Sequence, residues 1–339
     1  MTGPVWAARL GLVLLLMSTG NFDASQATTV PNTARPAAIV RHPRAPTSAF
    51  LPTSIPNLAA WYDAADPWTL SLAGLAVTAW QDRSGNGNVL AQTAAAALPE
   101  YGTGIDRQGS VYFGGGSFLS TNNLAFSNAL FNESSVFVVT NQSAAATSGS
   151  VLWSGAYPND PSYSLQLSNG SVTDFDFGNS TSGRLGANDL ASGPAVWTAA
   201  GSVSQSTQLL RKNGNTLATS SGPGASTSGS FPLVVGAASG GALPFSGAIA
   251  EVLVYNRFLT AAEQATAEGY LACKWGLQNR LPGNHPYRYT CPQGGSPGTI
   301  PLAPLPAGAL VSSGGFGNAP ATGAAVGMET GVPPCGQAA

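Results

Sequence analysis

Between residues 57 and 291 the apolar positions recur mainly with period two. Ser134-Ser135-Val136-Phe137-Val138-Val139-Thr140, Ser150-Val151-Leu152-Trp153 and Ala250-Glu251-Val252-Leu253-Val254-Tyr255 are rich in β-branched and aromatic residues, the composition of strands. In the last run, alternation sends Val252 and Val254 to one face and Glu251, Leu253 and Tyr255 to the other. Residues 208–212 and 215–218 flank Asn213-Gly214, a pair that supplies the two positive φ values of a type I′ turn, so a hairpin is predicted there. Clusters of Gly, Asn and Ser separate the strand-like runs, and no alternating series of helices interrupts them. The pattern predicts an all-β fold, an antiparallel jelly-roll β-sandwich. One C-terminal helix is predicted over 261–275, where Thr260 and Glu263 form a capping box, Pro is absent and Gly276 stands at the C-cap. Its Tyr270, Leu271 and Trp275 predict that one face docks on the sandwich.

Both ends of the chain depart from this pattern. Residues 1–27 read as a signal peptide: Arg9 supplies the positive charge, 10–17 form the apolar stretch, and Ser25-Gln26-Ala27 places small residues at the −3 and −1 positions. The apolar stretch is too short for a bilayer, which takes about 20 residues, so no transmembrane span is expected after cleavage. A secreted or cell-surface location follows. Residues 28–56 contain six prolines, several basic residues and no acid, the composition of an extended linker. Residues 292–339 hold 11 Gly and 8 Pro with Glu329 as the one charged side chain, which predicts a disordered tail. The domain proper is then 57–291.

Charge narrows the function classes. Only 8% of residues are charged, against about 25% in an ordinary soluble domain, and the net charge is −2. With two lysines, Lys212 and Lys274, the chain has no basic patch for phosphates, so nucleic acid is excluded as a partner. Hydrophobic residues at 43% supply enough apolar mass to fold.

Two sets of residues carry a family pattern. Leu58-Ala59-Ala60-Trp61-Tyr62-Asp63-Ala64-Ala65-Asp66 leads to Val77-Thr78-Ala79-Trp80-Gln81-Asp82-Arg83-Ser84-Gly85-Asn86-Gly87-Asn88. Near the other end, Phe245-Ser246-Gly247-Ala248-Ile249-Ala250-Glu251-Val252-Leu253-Val254-Tyr255-Asn256 leads into Leu259-Thr260-Ala261-Ala262-Glu263. With the Val111-Tyr112-Phe113-Gly114 strand and the Asn213-Gly214 hairpin, these resemble bacterial laminin-G-like jelly rolls of the concanavalin A-like lectin/glucanase superfamily. The resemblance spans about 57–277. It implies the sandwich, but not an activity, because the superfamily includes lectins, adhesion modules and glycosidases.

Four constellations have the residue types of a functional site. Glucanases of this superfamily carry carboxylates in a Glu-x-Asp-x-Glu run on one strand face; the nearest run here is Asp174-Phe175-Asp176, which matches that pattern poorly and reads as a solvated face opposite a buried one. Gly294-Gly295-Ser296-Pro297-Gly298 fits G-x-S-x-G but lies in the Gly/Pro tail, without the strand-to-helix elbow the motif needs. Asp82, Ser84, Asn86 and Asn88 place oxygen side chains at positions 1, 3, 5 and 7 of a calcium-type loop with Gly87 at position 6, yet position 12 is Thr93. That loop is either a Ca²⁺ site or a turn in which Asp82 bonds backbone N–H groups. Finally, Trp68, Trp153, Tyr157, Asn159, Asp160 and Tyr163 offer an aromatic and amide set of the kind that binds sugars, with 157–163 read as a loop.

With no catalytic set, the reading is a non-enzymatic module whose partner is a glycan or a cell-surface ligand. The alternatives are a structural or adhesive surface protein and a divergent glycoside hydrolase. In an exported chain, Cys273 and Cys291 would bridge the helix to the chain leaving the core, though a Cys291–Cys335 pair is also open.

Overall fold

The computed structural model describes residues 50–143, 148–155, 162–168, 172–177, 184–188, 193–221 and 231–293. Among these residues the strands are β1 (Leu58–Asp63), β2 (Leu70–Ala73), β3 (Ala76–Trp80), β4 (Leu90–Ala91), β5 (Glu100–Thr103), β6 (Gly109–Gly114) and β7 (Leu119–Ser120). After helix α1 (Leu124–Ala129) come β8 (Glu133–Gln142), β9 (Ser148–Gly155), β10 (Ser162–Ser168), β11 (Val172–Phe177) and β12 (Leu185–Asn188). Then follow β13 (Gly193–Ser202), β14 (Thr207–Lys212), β15 (Asn215–Ser220), β16 (Val234–Val235), β17 (Ser246–Tyr255) and helix α2 (Ala261–Lys274).

The strands form two antiparallel layers. In the first, β5, β6, β17, β8, β13, β14 and β15 lie side by side, and β1 replaces β6 along the second half of β17. In the second, the order is β12, β11, β10, β9, β16, β7, β4, β3, β2. Pairing of Ala76 with Glu100 joins the layers at one edge. The expected antiparallel jelly-roll sandwich is what the chain forms. Its main core is the inward set of both layers: Val136, Val138, Val252, Val254 and Trp197 meet Tyr163, Leu165, Phe175 and Phe177.

The outward residues of β8 and β17 are also buried near α2. Phe137, Val139, Leu253 and Tyr255 pack under Ala267, Leu271, Ala272 and Trp275 of the helix segment. This explains the unbroken apolar run at 136–139, since a strand covered on both faces loses its alternation. The helix begins at the predicted capping box: Thr260 Oγ1 accepts from the Glu263 N–H at 3.3 Å, and Glu263 Oε2 accepts from the Thr260 N–H at 2.9 Å. Gly276 ends it with φ of 66°. The predicted hairpin turn also forms, with φ of 49° at Asn213 and 77° at Gly214.

The core extends beyond the expected domain at its N-terminal end, and the C-terminal end is tied down within it. Phe50 and Ile55, inside the stretch read as linker, are buried in the helix-side cluster, and Tyr255 Oη donates to the Pro52 carbonyl at 3.0 Å. At the other end a Cys273–Cys291 disulfide joins residues whose Cα atoms are 5.6 Å apart and ties α2 to the chain that follows. That following chain is held again at His285, which bonds Glu268 Oε2 through Nε2 at 3.4 Å while its Nδ1 accepts the Tyr287 N–H at 3.2 Å.

A buried carboxylate fixes the helix on the sheet. Glu251 is completely buried on the outer face of β17. Its Oε1 accepts from Trp61 Nε1 at 2.8 Å and Tyr270 Oη at 2.9 Å; its Oε2 accepts from Trp275 Nε1 at 2.7 Å and Lys274 Nζ at 2.8 Å. Lys274 Nζ also lies 2.6 Å from Asp63, whose other oxygen is 2.6 Å from Arg83. Burial pushes the Glu251 carboxyl up, and Lys274 pulls against that shift. Burial together with Glu251 and Asp63 pushes the Tyr270 phenol far above its usual value.

Candidate functional site

Past the reach of α2, the same outer face of the first layer lies open. One row of paired residues crosses it: Glu100 on β5, Tyr112 on β6, Ala248 on β17, Asn141 on β8 and Pro194 on β13. The small Ala248 keeps the floor low. Beside it Gly247 has φ of 148°, and a Cβ there would stand 2.5 Å from the Asn141 carbonyl, so glycine allows β17 and β8 to approach. The result is a groove of about 710 Å³ lined by residues that include Leu75, Glu100, Thr103, Tyr112, Asn141 and Gln142. That volume falls within the about 300–1,000 Å³ typical of small-molecule sites.

The chemistry of this groove is that of an amphipathic platform. Tyr112 is 44% exposed, because alternation places it opposite the buried Val111 and Phe113. A tyrosine ring there offers an apolar surface with a polar tip. Glu100 supplies acceptors, and the Asn141 amide supplies both donors and acceptors. Burial, with Asp63 and Asp66, raises the phenol of Tyr101 at the groove edge, so it stays a neutral O–H.

The residues expected to bind sugar do not converge. Trp68 is 92% exposed, just before β2, at the opposite end of the β2–β3 hairpin from Leu75. Trp153 is 3% exposed and packs with Val234, Ala237 and Ala238, its Nε1 donating to the Gly155 carbonyl at 3.1 Å. Tyr163 is 0% exposed, edge-on to Phe175 at 5.6 Å in the main core. Burial therefore corrects the expectation for Trp153 and Tyr163: neither can offer a surface platform. Tyr157, Asn159 and Asp160 lie outside the described residues. The groove residues Tyr112, Glu100, Thr103 and Asn141 were missed, although the Val111-Tyr112-Phe113 alternation already marked Tyr112 as facing away from the core.

The 82–88 loop is bonded as a turn. Asp82 Oδ1 accepts from the N–H groups of Trp61 at 2.9 Å and Ser84 at 2.8 Å; Oδ2 accepts from Ser84 Oγ at 2.8 Å and the Asn88 N–H at 3.0 Å. Asn86 and Asn88 turn their amide N–H groups to the Leu58 and Ala59 carbonyls. Asn88 Oδ1 accepts from Asn123. The side-chain oxygens of Asp82, Ser84 and Asn88 already face N–H and O–H donors, so the loop does not fit a cation shell as arranged. These residues pin the loop to β1.

Asp174 and Asp176 do share one strand face, with Phe175 and Phe177 on the other. That face is not the solvated one expected. Asp176 is fully buried, 3.5 Å from Arg184. Burial pushes the Asp174 carboxyl up to about 6, with Arg184 opposing and Asp176 adding to the shift. The G-x-S-x-G segment lies outside the described residues, as does Cys335. Among the described residues no group of three or more His, Cys, Asp or Glu side chains is placed to hold a metal, and no helix is long and apolar enough to cross a membrane.

No curated protein sequence matches this chain. Among solved structures, domain 4 of an extracellular GH43 arabinanase from Geobacillus stearothermophilus, in complex with arabinotriose, is 16% identical with a TM-score of 0.43, covering 60% of this chain and 95% of that one. The CBM40 domain of the Ruminococcus gnavus IT-sialidase, bound to α2,3-sialyllactose, is 16% identical with a TM-score of 0.38, covering 44% of this chain and 91% of that one. A Trypanosoma rangeli sialidase bound to 2,3-difluoro-KDN is 15% identical with a TM-score of 0.42, covering 60% of this chain; the match spans only 31% of the sialidase. A family model for laminin-G-like domains, described as the concanavalin A-like lectin/glucanases superfamily, matches residues 113–263. The matched segment runs from β6 into α2, and over it the chain is similar to that superfamily.

Proposed function

We propose that this chain is a secreted, non-catalytic carbohydrate-binding module and that the Tyr112 groove is its ligand site. The observation that carries the reading is the open row Glu100–Tyr112–Ala248–Asn141, which sets an exposed aromatic ring beside planar hydrogen-bonding groups. A sugar ring presents the complementary surface, with apolar C–H faces and a rim of hydroxyls. The non-catalytic part rests on the carboxylates: glycoside hydrolysis by the usual route uses two, and Glu100 is the one carboxylate among the described residues lining the groove. Export rests on the composition of residues 1–27.

The test is a glycan array and a polysaccharide pull-down with the full chain, with product analysis for any shortened glycan. The expected result is retention on at least one polysaccharide, loss of at least tenfold in affinity for Tyr112→Ala, and no cleavage. Absence of binding across the array would remove the reading; binding with release of shortened sugars would convert it to an enzyme.

A further inference from the structure

We infer that the groove selects glycan chains that carry no acidic groups. The inference rests on the carbohydrate-binding reading and adds the substrate class. Glu100 is the one charged side chain among the described residues lining the groove, where no Lys, Arg or His is found. Arg107, on the turn between β5 and β6, does not line it. The two chain segments that adjoin Gln142, Ser143 and Gly193, residues 144–147 and 189–192, read Ala-Ala-Ala-Thr and Asp-Leu-Ala-Ser and contain no cation.

The only two lysines are engaged elsewhere. Lys274 is held by Glu251 and Asp63 under the helix, and Lys212 stands over the Trp197 ring at 5.0 Å. A uronate or sialate carboxylate entering the groove would give up hydration without a charge-assisted partner. It would also meet the like charge of Glu100. Sugar hydroxyls, by contrast, find an ionised acceptor in Glu100, donors and acceptors in Asn141, and the ring of Tyr112.

The experiment measures binding of the full chain to matched oligosaccharide pairs at neutral pH. The pairs share a backbone and differ in charge: cello-oligosaccharides against C6-oxidised glucuronans, mannans against mannuronans, methyl-esterified against free oligogalacturonates, and lactose against sialyllactose. For whichever backbone binds, the neutral member is expected to bind at least tenfold more tightly. Glu100→Gln is expected to narrow that ratio while weakening the neutral member several-fold, because a repelling charge and a strong acceptor leave together. An acidic member that binds as tightly as its neutral partner, and loses that binding with Tyr112→Ala, overturns the inference and leaves carbohydrate binding standing. If no member of any pair binds, the carbohydrate-binding reading itself fails and takes the inference with it.

Discussion

The outer face of the first layer has two halves built on the same strands, and they differ in what covers them. Under α2, β8 presents Phe137 and Val139 while β17 presents Leu253 and Tyr255; all four are buried. Further along the same two strands the outward residues become Asn141 and Ala248, and a groove remains. Even a carboxylate can be buried in the first half, because Glu251 receives four donors there. In the second half Glu100 keeps its solvent. The lesson is a division of labour within one sheet face. Large side chains and a helix convert half of it into stability, and small side chains leave the other half open.

The largest test of this division is Lys274→Met. Removing one partner of a buried ion pair leaves an uncompensated charge and costs about 3–5 kcal/mol. At about 2–4 °C per kcal/mol for a domain of this size, the melting temperature should fall by about 6–20 °C, read by calorimetry or circular dichroism. Glu251→Gln added to that variant should recover part of the loss. A change below about 2 °C would mean that the helix-covered half does not depend on this pair.

A middle-sized effect is expected from Glu263→Gln at the start of α2. Hydrogen bonds from Arg257 and Thr260 hold the Glu263 carboxyl down at about 2, below its usual 4.5. A depressed carboxyl contributes stability that is present above its unfolded value and lost as pH falls through the folded one. The variant keeps the capping acceptor but loses the Arg257 pair, so it should melt up to about 4 °C lower at pH 7, matching a surface ion pair worth up to about 1 kcal/mol. The gap should close between pH 4.5 and pH 2. A gap independent of pH would assign the loss to packing instead of charge.

The smallest stability effect belongs to the open half. Tyr112→Ala removes a half-exposed ring from the groove wall, and such surface changes stay within about 0.5 kcal/mol. Its melting temperature should match that of the unaltered chain to within about 2 °C even as glycan binding is lost. A larger fall would make Tyr112 part of the core and would blur the boundary between the two halves.

Much of the scaffold was legible in the residues. Runs of β-branched and aromatic residues marked β8, β9 and β17; Asn213-Gly214 marked the β14–β15 hairpin; Thr260, Glu263 and Gly276 marked the ends of α2. These signals are local, since each depends on sterics and hydrogen bonds within a few residues of the chain. The site was far less legible. Tyr163 and Trp153 look like any other aromatic residue in a strand, and only the packing of the two layers shows them to be interior. Asp82-x-Ser84-x-Asn86 has the spacing of a cation loop, but spacing does not say which way an amide turns, and here the N–H groups face the β1 carbonyls.

By itself, then, the sequence determined the class of fold, the turn and the helix caps, because backbone preference and alternation are written residue by residue. The tertiary structure alone decided which half of the sheet face α2 would cover. That choice depends on contacts between Glu251, Trp61, Tyr270 and Lys274, residues as far as 190 positions apart that meet only after both layers have closed. The groove around Tyr112 is what that choice left uncovered.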